Sequence, residues 1–212
     1  MIVAIDGPAG AGKSTVAKTL AGVLGVPFLD TGAMYRAVTW RVLAEGGAIE
    51  DEAVCASLAA NTHLAFSPEG LCVDGVLRES EIRSVEVDRA VSVVAAHPGV
   101  RAAIVPLQRG MAAEAGGAVA EGRDITTVVF PEADHRFFLA ASAEERARRR
   151  TLQRGADEVF EEVLADIKRR DHLDSTRADS PLMRGEGVSV IETGGLGALE
   201  VVELLLSIIH KA

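Results

Sequence analysis

Gly7-Pro8-Ala9-Gly10-Ala11-Gly12-Lys13-Ser14 matches the pattern G-x-x-x-x-G-K-[ST], and its flanks decide the fold. Ile2 to Ile5 before it is a short apolar run, and after it Val16, Leu20, Val23 and Leu24 recur at helical spacing. Glycines in such a strand-to-helix turn let backbone N–H groups face phosphate oxygens, and the helix N-terminus adds its positive end. The spacing carries Lys13 to the β and γ phosphates of a nucleoside triphosphate and offers the Ser14 hydroxyl to Mg2+. Only four residues of the chain are lysine, and one stands where this chemistry needs it. Gly7, Pro8, Ala9, Gly10, Ala11, Gly12, Lys13, Ser14 and Thr15 are therefore read as an ATP-binding cradle.

Outward from the cradle, Pro27 to Leu29 reads as a second strand, leading through Asp30, Thr31 and Gly32 into a helix ending near Ala44. Strand, glycine loop, helix and strand make a βαβ unit, so a parallel sheet with helices on both faces is expected. Residues of about 61–90 break the rhythm: His63–Phe66, Leu71–Val73 and Val76–Leu77 read as short strands around the turns at 68–70 and Asp74-Gly75. A helix is expected from Ile82 to Ala95, and Pro98 suits the start of another, which Pro106 should kink or delay. Further strands are placed at Ala118–Glu121, His135–Leu139 and Val188–Ile191. Ser142 with Glu145 forms a capping-box pattern for a helix that Gly155 should end, and another helix is placed at about 158–171. The expected fold class is α/β: a three-layer P-loop NTPase fold with a central parallel sheet, forming a single domain over 1–212. It includes a small β-rich insertion at about 61–90.

The net charge of −9 argues against a general affinity for nucleic acid polymers or anionic membranes, so anionic substrates must meet local clusters of cations. Cys55 and Cys72 have no metal-ligand spacing and suit reduced thiols in a cytoplasmic protein. No signal-peptide pattern precedes the glycine loop, and Leu196–Ile209, interrupted by Glu200 and Glu203, is too short to cross a bilayer. With no evident dimerisation element, a monomer is expected.

A Mg2+ site on a P-loop usually takes a second, acidic contact from a neighbouring strand end, and Glu121 is the candidate beside Ser14, acting through water. No Asn-Lys-x-Asp stretch exists to read guanine, which excludes a switch GTPase. A compact kinase for a small acceptor fits better, and its arginines should show the acceptor's charge. Arg146, Arg150 and Arg154 share one helical face, bordered by Arg149, where like charges repel unless phosphate oxygens complete the stripe. A solvated arginine-rich helix, with Glu144–Arg148 and Glu145–Arg149 pairs, is the alternative.

Four stretches in this order resemble the bacterial cytidylate kinase family: 5–14, Leu29-Asp-Thr-Gly-Ala-Met-Tyr-Arg36, Gly122-Arg-Asp-Ile125, and 171–177 followed by Ser180-Pro181. The resemblance implies a kinase that uses ATP and Mg2+ and takes CMP or dCMP as acceptor, with the β-rich insertion at about 61–90 binding the monophosphate and a short helical lid at about 142–172. It assigns Arg36, Arg123 and Arg177 to the acceptor phosphate, Arg170 and Asp174 to the sugar, and Ser92, Arg101 and Asp124 to the base. Thr31 joins this CMP-binding set, and Lys13, Arg146 and Arg150 are implied as catalytic, the arginines as part of a closing lid. Such a division suits the chemistry. Three guanidinium groups grip a phosphate dianion in forked geometry, and Asp124 can accept from the cytosine amine where uracil presents a carbonyl. Local alternatives stay open: Arg36 with Asp30, Arg123 with Asp124 as a surface turn, and Asp174 with Arg177 as an i, i+3 pair. Thr126 stands where the family commonly has glycine, which predicts an altered turn beside Asp124. A related kinase for AMP or UMP and a nucleotide-dependent binding module remain the other readings.

Overall fold

The computed structural model describes residues 1–154 and 159–211, with the side chains of 153 and 154 left aside. Its elements run β1 (Ile2–Asp6), α1 (Lys13–Leu24), β2 (Phe28–Asp30), α2 (Thr31–Ala44), α3 (Glu52–Ala60), β3 (Leu64–Ser67), β4 (Gly70–Val73) and β5 (Val76–Leu77). They continue with α4 (Val85–Val94), α5 (Pro98–Glu114), β6 (Ala118–Gly122), β7 (His135–Ala140), α6 (Ala143–Arg154), α7 (Phe160–Thr176), β8 (Ser189–Glu192) and α8 (Ala198–Ile209). The chain divides into two compact units, one of residues 1–29 with 112–212 and one of residues 30–111.

The first unit is built on a five-stranded sheet of order β2-β6-β1-β7-β8. β1 pairs in parallel with β6 and β7, and β7 with β8, as the βαβ pattern requires. Consecutive residues of β1 and β6 are buried, so both faces of these strands are covered, which is why they read as continuous apolar runs rather than alternating ones. Val3 and Ile5 of β1, Val119 of β6 and Phe137 and Leu139 of β7 form one core with Val16 and Leu20 of α1 and Val201, Val202 and Leu205 of α8. The apolar C-terminal stretch is therefore a helix docked on this core. A smaller cluster of Ala147, Val163 and Ile167 holds α6 against α7. The capping box forms at the start of α6: the Ser142 hydroxyl accepts from the Glu145 N–H at 3.2 Å and the Glu145 carboxylate accepts from the Ser142 N–H at 3.2 Å. Gly155, expected to end this helix, lies outside the described residues.

In the second unit β3, β4 and β5 form an antiparallel sheet close to the expected positions. Asp74 at φ 50° and Gly75 at φ 80° both adopt left-handed angles, the primed turn that an Asp-Gly hairpin favours. A short tight turn at Glu81–Arg83 precedes α4, so the helix expected from Ile82 begins at Val85, capped by the Ser84 hydroxyl. α3 was not anticipated; its N-cap, Asp51, accepts from the N–H groups of Ala53 and Val54. Pro106 does not delay or break α5, which runs from Pro98 to Glu114. Ala102 and Pro106 both lie on its exposed side, so the carbonyl that Pro106 leaves unpaired in the helix faces water.

No single helix among the described residues is long and apolar enough to cross a membrane. Phe137, 1% exposed at the centre of the first core, is the side chain whose loss should cost most. Phe137→Ala is expected to destabilise by about 3–5 kcal/mol in urea unfolding; a change near zero would mean that the core collapses around the gap.

Candidate active site

β1 ends at Asp6, and the next residue has no room for a side chain: a Cβ on Gly7 would lie 2.4 Å from the Leu139 carbonyl oxygen. At the far end of the loop Gly12 takes a left-handed φ of 86° as the N-cap of α1, which points the first turn of N–H groups into the loop. The Lys13 ammonium donates to the Pro8 carbonyl at 3.0 Å and lies 3.9 Å from the Glu121 carboxylate. Burial lowers its pKa to about 7, helped by the neighbouring Arg123 charge and opposed by Glu121, Asp6 and Asp174. The Ser14 hydroxyl donates to Glu121 at 2.6 Å. That pair comes from two elements, because the parallel register sets Ile5 beside Glu121 at the mouth of the loop. Two hard oxygens so placed fit a small divalent cation that takes its other ligands from phosphate and water. Among the described residues no cluster of three acidic, His or Cys side chains forms a separate metal site.

Asp6 is fully buried. Its carboxylate accepts from the N–H groups of Ile125 and Thr126, each at 2.8 Å, and from the Thr126 hydroxyl at 2.6 Å. Burial raises its pKa to about 6 against the pull of those three donors, and the Asp124 charge adds to the rise. Thr126 does not hold a left-handed angle, so the residue expected to disturb this turn is accommodated in it and supplies a bond of its own.

Arg123 does not close on Asp124 and longer-range pairs form, while the Arg177 charge also acts on Asp174. The Arg123 guanidinium donates to Asp174 at 2.8 Å, and Arg177 donates to Asp124 at 3.2 Å and to the Ser180 carbonyl at 2.7 Å. Asp124, Arg170 and Asp174 are all nearly fully buried. Burial acts to raise the Asp174 carboxyl, yet Arg123, Arg170 and Arg177 together hold it below its ordinary value. Arg170 and Asp174 stand one turn apart on α7, so that helix delivers both to the place where the segment 122–124 leaves β6.

On α6, Arg146 is 4% exposed and anchored on three sides. It forks onto the Asp171 carboxylate at 3.1 and 2.6 Å, and donates to the Ala9 carbonyl of the phosphate loop at 2.9 Å and to the Ala141 carbonyl at 3.1 Å. The Glu144 carboxylate accepts from Lys168 on α7, and Arg149 donates to Thr193, instead of closing the helix-surface pairs expected with Arg148 and Glu145. A cavity of about 360 Å³ opens beside Arg146, with Pro8, Phe138, Asp171 and Met183 among its walls.

The remaining predicted residues belong to the second unit. Asp30 caps α2 through the Ala33 N–H at 2.9 Å and accepts from Arg83 at 3.0 Å; it does not take Arg36. Arg36 pairs with Asp88 of α4 and donates to the Ile82 carbonyl at 3.3 Å. Arg101 stacks over the Tyr35 ring with its guanidinium carbon 5.4 Å from the centroid, and Ser92 is buried on α4 one turn beyond Asp88. Thr31 is buried at the start of α2. Sequence reasoning gave no role to Asp6, Asp88 or Asp171. Asp6 and Asp171 lay inside quoted motifs and carried a usable signal, whereas nothing local marked Asp88.

The sequence model of the cytidylate kinase family matches residues 3–211. The chain is 48% identical to the cytidylate kinase of Caldanaerobacter subterraneus subsp. tengcongensis over 99% of its own length and 94% of that protein's. It is 45% identical to the cytidylate kinase of Mycobacterium leprae over 100% and 96%. In Synechocystis a bifunctional pantoate ligase/cytidylate kinase matches at 46% identity, with 99% of this chain corresponding to 43% of that longer protein. Among solved structures, an uncharacterized protein from Eubacterium ventriosum superposes with a TM-score of 0.59 at 13% identity, covering 100% of this chain and 99% of that one. TT1252 from Thermus thermophilus superposes with a TM-score of 0.51 at 24% identity, covering 100% and 96%. These two likenesses concern the fold. A family match spanning nearly every residue, on a chain whose phosphate loop, buried lysine and paired arginines are in place, leads to one assignment: the chain belongs to the cytidylate kinase family.

Proposed function

We propose that the chain transfers the γ-phosphoryl group of ATP directly to CMP or dCMP, giving ADP and CDP or dCDP for pyrimidine nucleotide metabolism. The observation that carries the reading is the buried Lys13 on the phosphate loop, within the field of Arg123 and Asp174 from the 122–124 segment and α7. In this reading residues Gly7 to Thr15 bind the triphosphate, and Ser14 and Glu121 hold Mg2+, Glu121 through water. When bound, Mg2+ neutralises charge between the β and γ oxygens.

Arg36, Arg123 and Arg177 orient the acceptor phosphate, with Thr31 beside them. Arg170 and Asp174 hold the sugar, and Ser92, Arg101 and Asp124 read the base. Arg146, seated on the Ala9 carbonyl, and Arg150 neutralise the charge that spreads over the transferring group. A loose transition state asks little of a base, so positioning and electrostatics supply most of the acceleration. Direct in-line transfer needs no covalent enzyme intermediate. The same reading takes the enzyme as a cytoplasmic monomer with Cys55 and Cys72 as free thiols.

ADP release measured with CMP, dCMP, UMP, AMP and shikimate should be fastest with CMP or dCMP, and Lys13→Ala should lower it by at least about a hundredfold without unfolding the protein. Turnover confined to AMP or UMP would move the enzyme to a different acceptor; none with any acceptor would leave a nucleotide-binding module.

Asp124→Asn offers an amide donor where the uracil carbonyl arrives and keeps the side chain's shape. The preference for CMP over UMP is expected to fall roughly tenfold or more, measured as the ratio of kcat/KM values; an unchanged ratio removes Asp124 from base reading.

Because Lys13 in the free protein titrates near about 7, it is largely neutral at about pH 8, and an arriving triphosphate restores its charge. Calorimetry of Mg–ATP binding at about pH 8, in two buffers of different ionisation enthalpy, should show uptake approaching about one proton, fading at about pH 6. Equal heats in the two buffers at the higher pH would mean that Lys13 is already charged.

A further inference from the structure

The turn that carries Arg123 and Asp124 has no side-chain contact of its own with the phosphate loop among the bonds described above. It is tied to β1 through one buried carboxylate. Asp6 is the last residue of β1 and immediately precedes Gly7; its Oδ1 takes the Ile125 N–H, and its Oδ2 takes both the N–H and the hydroxyl of Thr126. Thr126 lies two residues beyond Asp124 and is 1% exposed, so its side chain is spent on this contact and is closed to any ligand. Asp124 is the N-cap of the irregular helical turn Ile125–Val129, yet its side chain accepts nothing from that turn's N–H groups. The two N–H groups that a capping side chain would otherwise satisfy are taken by Asp6, which leaves the Asp124 carboxylate to face Arg177 instead.

We infer that Thr126 is a positioning residue for acceptor recognition: by bonding Asp6 through its hydroxyl, it sets the attitude of the 123–126 turn relative to the phosphate loop. The inference rests on the reading of Asp124 as a base reader. A buried carboxylate is stable as an anion only while its oxygens are filled by donors, and a donor to a charged group is among the stronger hydrogen bonds a protein makes. Without the hydroxyl, Oδ2 keeps one donor, the cost of burying the charge rises, and the Asp124 repulsion is met less fully. The turn then gains freedom at the point where its side chains must meet the nucleotide to within a fraction of an ångström. Lys13, the other charged group acting on this carboxylate, sits on α1 and stays in place.

Thr126→Val keeps the shape and removes the hydroxyl, Thr126→Ala removes it without any risk of crowding, and Thr126→Ser restores it. In steady-state assays both hydroxyl-free variants are expected to raise the KM for CMP by roughly tenfold and to lower discrimination against UMP. The KM for ATP should stay within about twofold of wild type, and Thr126→Ser should return the CMP value to within about twofold. A general loosening of the fold would raise both KM values together with a fall in the thermal midpoint, and that result overturns the inference. So does a CMP KM unchanged in both Val and Ala variants, or a Ser variant as impaired as Ala. Wild-type turnover of CMP is measured first and by itself decides the functional reading. If CMP is inert with wild type, that reading and this inference both fall; if it turns over, the variant ratios decide the inference alone.

Discussion

The constraint on which the site depends is the 2.4 Å that would separate a Cβ on Gly7 from the Leu139 carbonyl. Only glycine lets β1 leave the sheet so close against β7, and the whole phosphate-binding geometry follows from that exit. Because β1 is held between β6 and β7, the loop opens at the carboxyl edge of the sheet, where ligands of open α/β folds bind. The same edge receives Glu121 and the Arg123–Asp124 turn from β6. A register pairing of Ile5 with Glu121 then sets an acidic oxygen against the hydroxyl of Ser14, so sheet topology, not loop sequence, assembles this hydroxyl–carboxylate pair.

Charge is the second organising force. A chain of net charge −9 buries Lys13, Arg146 and Arg170, together with Asp6, Asp124 and Asp174, in or beside these elements. Each such group loses hydration and must recover it from partners, or it discharges. The arginines cannot discharge, so they recruit carboxylates: Arg123 takes Asp174, Arg177 takes Asp124, and Arg146 takes Asp171. Lys13 can discharge, and its lowered pKa records a cation waiting for anions that the protein supplies only in part. A phosphate dianion competes well for such guanidinium groups, since it matches their forked geometry and brings more charge than one carboxylate. Lysine and arginine thus divide the work by chemistry as well as by place.

Periodicity and punctuation were legible in the sequence. The strand before the glycine loop, the Asp-Gly hairpin, the Ser142–Glu145 cap and the apolar C-terminal helix each depend on residues a few positions apart, and each formed where the pattern placed it. α3 escaped because its capping Asp51 opens a stretch with no strong apolar stripe, and Pro106 did not delay α5 because the cost of one orphan carbonyl depends on which side faces water. Motifs singled out candidate residues, whereas the partners of those residues were not legible. Arg36 takes Asp88, and Arg123 takes Asp174, each across about fifty positions of chain, and no spacing rule looks that far.

By itself the sequence determined that this chain builds a phosphate loop between a strand and a helix, because hydrogen-bonding type and backbone freedom are written into residues side by side. Tertiary structure alone decided which charges neutralise one another, that Thr126 serves Asp6 rather than disturbing its turn, and that Arg146 is buried on the loop it was expected to cover. The reason is that Coulomb forces and desolvation act across space: a buried ion chooses the nearest donor or acceptor the fold presents, however distant in the chain.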